Sequence, residues 1–164
     1  MNLETDITTE FNISLLPNLN LDDNIPMKVC FVCTGNTCRS PMAAAVLNKL
    51  GKRYGITAVS AGLFAEDGSY ISGKAAKALE KYGFDVPDHY SRTINNHIVT
   101  ECDRIIGITK NHEFLLSQMF PFVAEQISSM PEDINDPWGG SLESYETCLL
   151  QIIKGVKELF KLYD

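Results

Sequence analysis

The stretch "VCFVCTGNTCRSPMAAAVL", Val29 to Leu47, sets Cys33 and Cys38 beside Arg39, between an apolar β-branched run and an alanine-rich one. Cys30 and Cys33 have the C-x-x-C spacing of dithiol redox sites. On an extended strand, however, residues three apart project to opposite faces and lie about 10 Å apart, whereas a disulfide needs Cα atoms within roughly 7 Å. Cys30 is therefore expected to be a small buried strand residue. Zinc is a poor fit, because Cys33 and Cys38 lack a second closely spaced ligand pair and His89, His97 and His112 are dispersed. The reading that uses every residue is a strand, a tight loop and a helix, with Ser40 as N-cap and Pro41 at the first helical position. Successive N–H groups of such a loop form an anion cradle, which Gly35 lets approach the ligand closely. Arg39 adds a planar fork for two phosphate oxygens, and the same positive surroundings favour a Cys33 thiolate. The spacing C-x5-R then holds a nucleophile and its anion clamp in one loop, Cys33 to Arg39.

Outward from this loop, strand and helix signals alternate. Lys28 to Cys33 reads as a strand, followed by a helix to about Lys52; Ile56 to Gly62 reads as a strand, and Ile71 to Gly83 as a helix stopped by glycine. Arg104 to Thr109 is expected as a third strand, Lys110 to Phe120 as a helix, and Glu125 to Met130 as a weak fourth strand. Leu149, Ile152, Ile153, Val156, Leu159 and Phe160 recur at helical spacing, so a long amphipathic helix over Glu143 to Tyr163 closes the chain. The alternation predicts an α/β fold with a parallel sheet and helices on both faces, and the expected form is a single three-layer domain with a central four-stranded sheet, order 2-1-3-4. In such sheets ligands bind beyond the carboxyl ends of the strands, where the strand order reverses, and Cys33 stands at such an end.

The 164 residues fit one domain, and 45% hydrophobic with 21% charged residues is a globular composition. A net charge of −7 argues against nucleic-acid or anionic-membrane surfaces, which are bound through clustered Lys and Arg. No apolar run reaches the roughly 18 residues of a membrane span, and no secretory signal is recognisable, so a cytoplasmic location is expected. Five cysteines, an odd number without repeating spacing, fit a reducing compartment. Residues 1–26 read as an N-terminal extension, a loosely held arm rich in Asn and Asp, ahead of a domain over 27–164. Asn12-Ile13-Ser14 in it is read as a chance sequon.

Phosphoryl transfer to a thiolate also requires a proton for the leaving group. "INDPWGGS" supplies a loop carboxyl at Asp136, stiffened by Pro137 and followed by Trp138 and two glycines. By position alone Asp136 is equally readable as an ordinary turn aspartate.

These residues resemble the low-molecular-weight protein tyrosine phosphatase family. "VCTGNTCRSPMA" is similar to its phosphate loop, "SAG" at Ser60 to Gly62 to its second strand end, "DHYSR" at Asp88 to Arg92 to its His-containing segment, and "DPWGGS" to its general-acid loop, together covering about residues 27 to 163. The resemblance implies that Cys33 attacks phosphorus to give a phosphocysteine, that Arg39 and the loop residues Thr34, Gly35, Asn36, Thr37, Cys38 and Ser40 hold the phosphoryl oxygens, and that Asp136 protonates the leaving group and then activates water. It further implies a supporting network of Asn36, Ser40, Ser60 and His89, a protective disulfide between Cys33 and Cys38, and no cofactor or metal. The implied partners are a phosphorylated protein substrate and inorganic phosphate or similar oxyanions, with no nucleic acid and no membrane.

Thr37 stands where tyrosine phosphatases usually carry a bulkier aliphatic residue, and in this the chain resembles the family's arginine-phosphatase branch. A pocket hydroxyl suits a polar guanidinium leaving group, whereas a branched aliphatic packs on a phenol ring. Trp138 and Phe64 are rim aromatics able to stack on either. Phosphoarginine is therefore the expected substrate, with phosphotyrosine next. Thiol-dependent arsenate reduction and phosphocysteine carriage are remoter alternatives, the first needing relay thiols for which only Cys102 and Cys148 are available.

Overall fold

The computed structural model describes residues 26–163. The arm expected over residues 1–26 therefore lies outside the described residues except for Pro26, as do the sequon and Asp164.

β1 (Met27–Cys33) pairs in parallel with β2 (Ile56–Gly62) on one side and β3 (Arg104–Gly107) on the other, and β4 (Ile127–Ser129) flanks β3, giving the order β2-β1-β3-β4. This is the expected order. β1 is buried on both faces, which explains why its sequence is a continuous apolar run. Its alternation separates the two cores. Val29, Phe31 and Cys33 face a layer made by α1 (Arg39–Leu50), α2 (Gly73–Lys81) and α5 (Leu142–Phe160). Cys30 and Val32 face the opposite layer, with α3 (Asn96–Glu101) and α4 (Lys110–Met119). Cys30 and Cys33 are thus on opposite sides of the sheet, both as free thiols.

Leu149, Ile152, Val156 and Phe160 on one stripe of α5 are fully buried against Met42, Val46 and Leu47 of α1. A Leu or Ile to Ala change in such a stripe costs about 2–5 kcal/mol. α3 is absent from the sequence reading because its six residues are too few to show a period; Asn95 starts it by accepting from the Ile98 N–H at 2.9 Å.

The boundary that matters most also differs from expectation. α1 begins at Arg39 with Cys38 in the cap position and no side-chain cap, so Ser40 is not the N-cap. Its hydroxyl is drawn inward instead, to Asn36 and Cys33. The third strand stops at Gly107 rather than Thr109, since Thr109 has turned to cap α4. α2 starts at Gly73, β4 keeps only Ile127–Ser129, and α5 ends at Phe160.

Candidate active site

The carboxyl ends of β1 and β2, the start of α1 and the segment between β4 and α5 meet at one edge of the sheet. Cys33, the last residue of β1, is buried, and its Sγ receives the Asn36 N–H at 3.3 Å. Ser40 Oγ lies 2.9 Å from the same sulfur. Ser40 Oγ accepts from Asn36 Nδ2 at 2.9 Å, and the Ala61 carbonyl, 3.4 Å away, is a second acceptor for its proton besides the sulfur.

Asn36 organises the loop. It is fully buried and adopts φ 61, a left-handed conformation that Asn tolerates better than most residues. Every polar group it carries is used. Nδ2 also donates to Ser60 Oγ at 3.0 Å, Oδ1 accepts from the Arg92 N–H at 3.0 Å, and its carbonyl accepts from His89 Nε2 at 2.6 Å. His89 Nε2 therefore carries the proton. Burial pushes the His89 pKa below its ordinary value, which favours this neutral form at neutral pH. Gly35, expected to let the backbone approach a ligand closely, has open space where a Cβ would stand, and the positive φ of the loop belongs to Asn36. The glycine that the fold requires is Gly62, where a Cβ would stand 2.6 Å from the Thr34 carbonyl oxygen.

Arg39 is buried and uses two nitrogens on the segment opposite: Nη1 donates to the Ile134 carbonyl at 2.9 Å, and Nη2 lies 3.5 Å from Asp136 Oδ2. Asp136 Oδ1 accepts from the Trp138 N–H at 3.1 Å, so its carboxylate faces the loop in a fixed turn while its side chain remains 53% exposed. Asp136 thus forms an Asx turn and at the same time faces the Arg39 guanidinium. Phe64 and Trp138 are 74% and 78% exposed, and the Phe64 N–H donates to the Thr34 carbonyl, fixing that aromatic beside the loop. Thr37 is half-buried, its carbonyl held by the Ser72 N–H at 2.8 Å. Cys38 is buried, its sulfur 3.7 Å from both Thr37 Oγ1 and the Tyr145 hydroxyl.

Cys33, Asn36, Arg39, Ser40, Ser60, His89 and Asp136 are linked by these contacts. Two residues not singled out from the sequence are Arg92, which ties Asn36 to the second strand through Nε donating to the Ser60 carbonyl at 3.1 Å, and His112, which reaches Thr34. The first lies at the end of the quoted "DHYSR" run. The second was signalled by Thr109 three residues ahead of it, the spacing of a helix capping box. The remaining thiols do not fit a relay. Cys30 and Cys102 share the core on the far side of the sheet, and burial pushes Cys148 up to about 12, leaving it protonated and non-nucleophilic.

A loop that holds a thiol and an arginine at an anion cradle, under a carboxylate, defines a thiol-dependent phosphatase. Residues 28–163 match the profile described as low molecular weight phosphotyrosine protein phosphatase, and the chain belongs to this family. It is 37% identical over 128 residues to a protein-arginine-phosphatase of Geobacillus stearothermophilus, covering 74% of this chain and 85% of the relative. Over 132 residues it is 36% identical to the low molecular weight protein-tyrosine-phosphatase PtpB of Staphylococcus epidermidis, covering 77% and 91%. The crystallised YwlE arginine phosphatase from Geobacillus stearothermophilus superposes with a TM-score of 0.76 at 31% identity, over 83% of this chain and 92% of that one. The chain is accordingly a protein phosphatase. Among the described residues no helix is long and apolar enough to cross a membrane.

Proposed function

We propose that this chain, as a domain over 27–164, removes phosphoryl groups from protein side chains through a phosphocysteine, with phosphoarginine as the favoured substrate. The observation that carries the mechanism is the convergence of Asn36 N–H and Ser40 Oγ on Cys33 Sγ, with Arg39 and Asp136 facing each other across the loop. In the first step the Cys33 thiolate attacks phosphorus. The S–P bond forms as the P–N bond of phosphoarginine breaks, and Asp136 passes its proton to the departing guanidine nitrogen. Arg39 and the loop N–H groups carry the charge of the transferring oxygens. In the second step the Asp136 carboxylate takes a proton from water, whose oxygen attacks phosphorus. The S–P bond breaks, phosphate leaves and the thiolate returns.

The substrate preference rests on Thr37, a half-buried hydroxyl in the loop, together with the likeness to proteins named for arginine dephosphorylation. Phosphotyrosine is the second reading, favoured by the comparable identity to PtpB. Phe64 and Trp138 serve either substrate as a stacking rim. Inorganic phosphate is the product and a competing ligand; no cofactor, nucleic acid or membrane enters the reaction. The nucleophile must stay reduced, which suits the cytoplasm, and Cys38 is the thiol we assign to guard Cys33 as a reversible disulfide.

The deciding measurement is kcat/KM on phosphoarginine and phosphotyrosine peptides for the wild type and Thr37→Ile. The wild type is expected to favour phosphoarginine and the variant to shift toward phosphotyrosine. An unchanged ratio removes Thr37 as the selector, and a wild type that prefers phosphotyrosine replaces the first reading with the second.

A further inference from the structure

We infer that His112 is a positioning residue of the phosphate loop, holding the hydroxyl of Thr34 beside the nucleophile; this rests on the phosphatase reading above. His112 occupies the third position of α4, is buried, and uses its two ring nitrogens differently. Nδ1 faces the helix cap, 3.1 Å from the Thr109 N–H and 3.0 Å from Thr109 Oγ1. A nitrogen that receives an N–H is unprotonated in the neutral ring, so the ring proton sits on Nε2. Nε2 lies 3.0 Å from Thr34 Oγ1 and donates to it.

The capping job needs only Nδ1. Glu or Gln commonly reaches back to the cap from this helix position, and neither would fix a ring donor at the far side. The second nitrogen spans 78 residues of sequence to the residue that follows Cys33. Thr34 is then engaged twice, its carbonyl accepting from the Phe64 N–H at 3.0 Å and its hydroxyl from His112. The residue joining Cys33 to Gly35 is thereby fixed at both backbone and side chain. The same helix turn also holds the acid segment, since the Lys110 N–H donates to Asp133 Oδ1 at 2.9 Å, three residues before Asp136. One helix start therefore sets the nucleophile loop and the acid segment relative to each other.

The close approach is built into the strand that precedes it. A Cβ at Gly107 would stand 2.9 Å from His112 Cβ and 2.7 Å from the Glu113 nitrogen, so only glycine lets α4 begin this near the sheet.

The test separates the two nitrogens. His112→Asn offers an oxygen to the Thr109 N–H but is too short to reach Thr34; His112→Gln is longer and carries an amide donor; Thr34→Val removes the acceptor and leaves the cap untouched. With p-nitrophenyl phosphate, kcat is expected to fall about five- to tenfold in H112N and in T34V, the loss of one partly buried hydrogen bond, with KM little changed. H112Q is expected to recover part of the loss, and the double variant T34V/H112N to be no slower than the worse single one. Independent, multiplying losses in the double variant, or a lowered Tm with wild-type kcat in H112N, would reduce His112 to a helix cap and overturn the inference. If H112N does not fold, T34V alone carries the test, because it breaks the same bond from the other side and leaves the cap in place; wild-type kcat in T34V then overturns the inference. Cys33→Ser is run alongside: full activity there overturns the phosphatase mechanism itself, whereas an inactive C33S with an unaffected T34V overturns only the role of His112.

Discussion

Arg39 Nη2 stands 3.5 Å from Asp136 Oδ2, while Nη1 of the same guanidinium donates to the Ile134 carbonyl two residues earlier. One side chain thus holds the loop to the segment of Ile134 and Asp136, so the proposed acid is brought to the loop by the group proposed to bind the phosphate. A lysine in this position would present a point charge unable to serve two directions at once. Arg39→Lys is expected to lower kcat/KM by about 10²–10³, with wild-type protein as the reference. A loss below about fivefold would mean that the fork geometry is not needed.

Asp136→Asn keeps the shape of the turn and the bond from the Trp138 N–H, but removes the transferable proton. The effect is expected to depend on the leaving group. For phenyl phosphate, whose phenolate leaves poorly, kcat should fall by about 10²–10³; for p-nitrophenyl phosphate the fall should be about tenfold or less. Equal losses for both esters would assign Asp136 to positioning rather than to proton transfer.

Asn36 contributes through its backbone conformation and through its side chain, and two substitutions separate these. Asn36→Gly accepts φ 61 without strain yet loses the bonds to Ser40, Ser60 and the Arg92 N–H; Asn36→Ala loses both. Both variants are expected to be strongly impaired in kcat. A↔G differ in stability, with the alanine variant less stable by about 1 kcal/mol in urea unfolding. An alanine variant as stable as the glycine one would show that the left-handed turn carries no cost.

The histidines behind the loop predict an acid-sensitive fold. Burial, helped by the Arg39 guanidinium, pushes His112 from 6.5 down to about 4, and burial also lowers His89. A group that binds its proton more weakly when folded stabilises the native state fully above its unfolded pKa and loses that contribution as pH falls. For His112 the loss begins near 6.5 and is complete by about 4, on the order of 3 kcal/mol across that window. Urea unfolding of wild type and H112Q at pH values from 7.5 to 4 should give a shallower decline in the variant. Parallel curves would exclude His112 as a source of the acid sensitivity.

Much of this molecule is legible along the chain because its decisive contacts are short in sequence. Cys33 and Arg39 bound one short loop, so their spacing suggests their chemistry, whereas the roles of Asn36 and Ser40 were implied only by the family resemblance. The apolar run of β1 and the stripe of α5 likewise announce themselves, since burial on two faces or one leaves a periodic trace. The helix start was misread because Ser40 followed by Pro41 has the form of a cap, while the tertiary demand for a hydroxyl at Cys33 Sγ moved that side chain elsewhere. α3 escaped because one and a half turns make no pattern.

From the sequence alone came the candidate nucleophile, its arginine and the parallel sheet, read from local spacing and the alternation of periods, while the strand order, though expected, is not carried by any periodicity. Only the tertiary structure could decide what stands behind the loop. Arg92 and His112 reach the loop from 56 and 78 residues away through hydrogen bonds, and a bond of that kind leaves no periodicity in the chain that makes it.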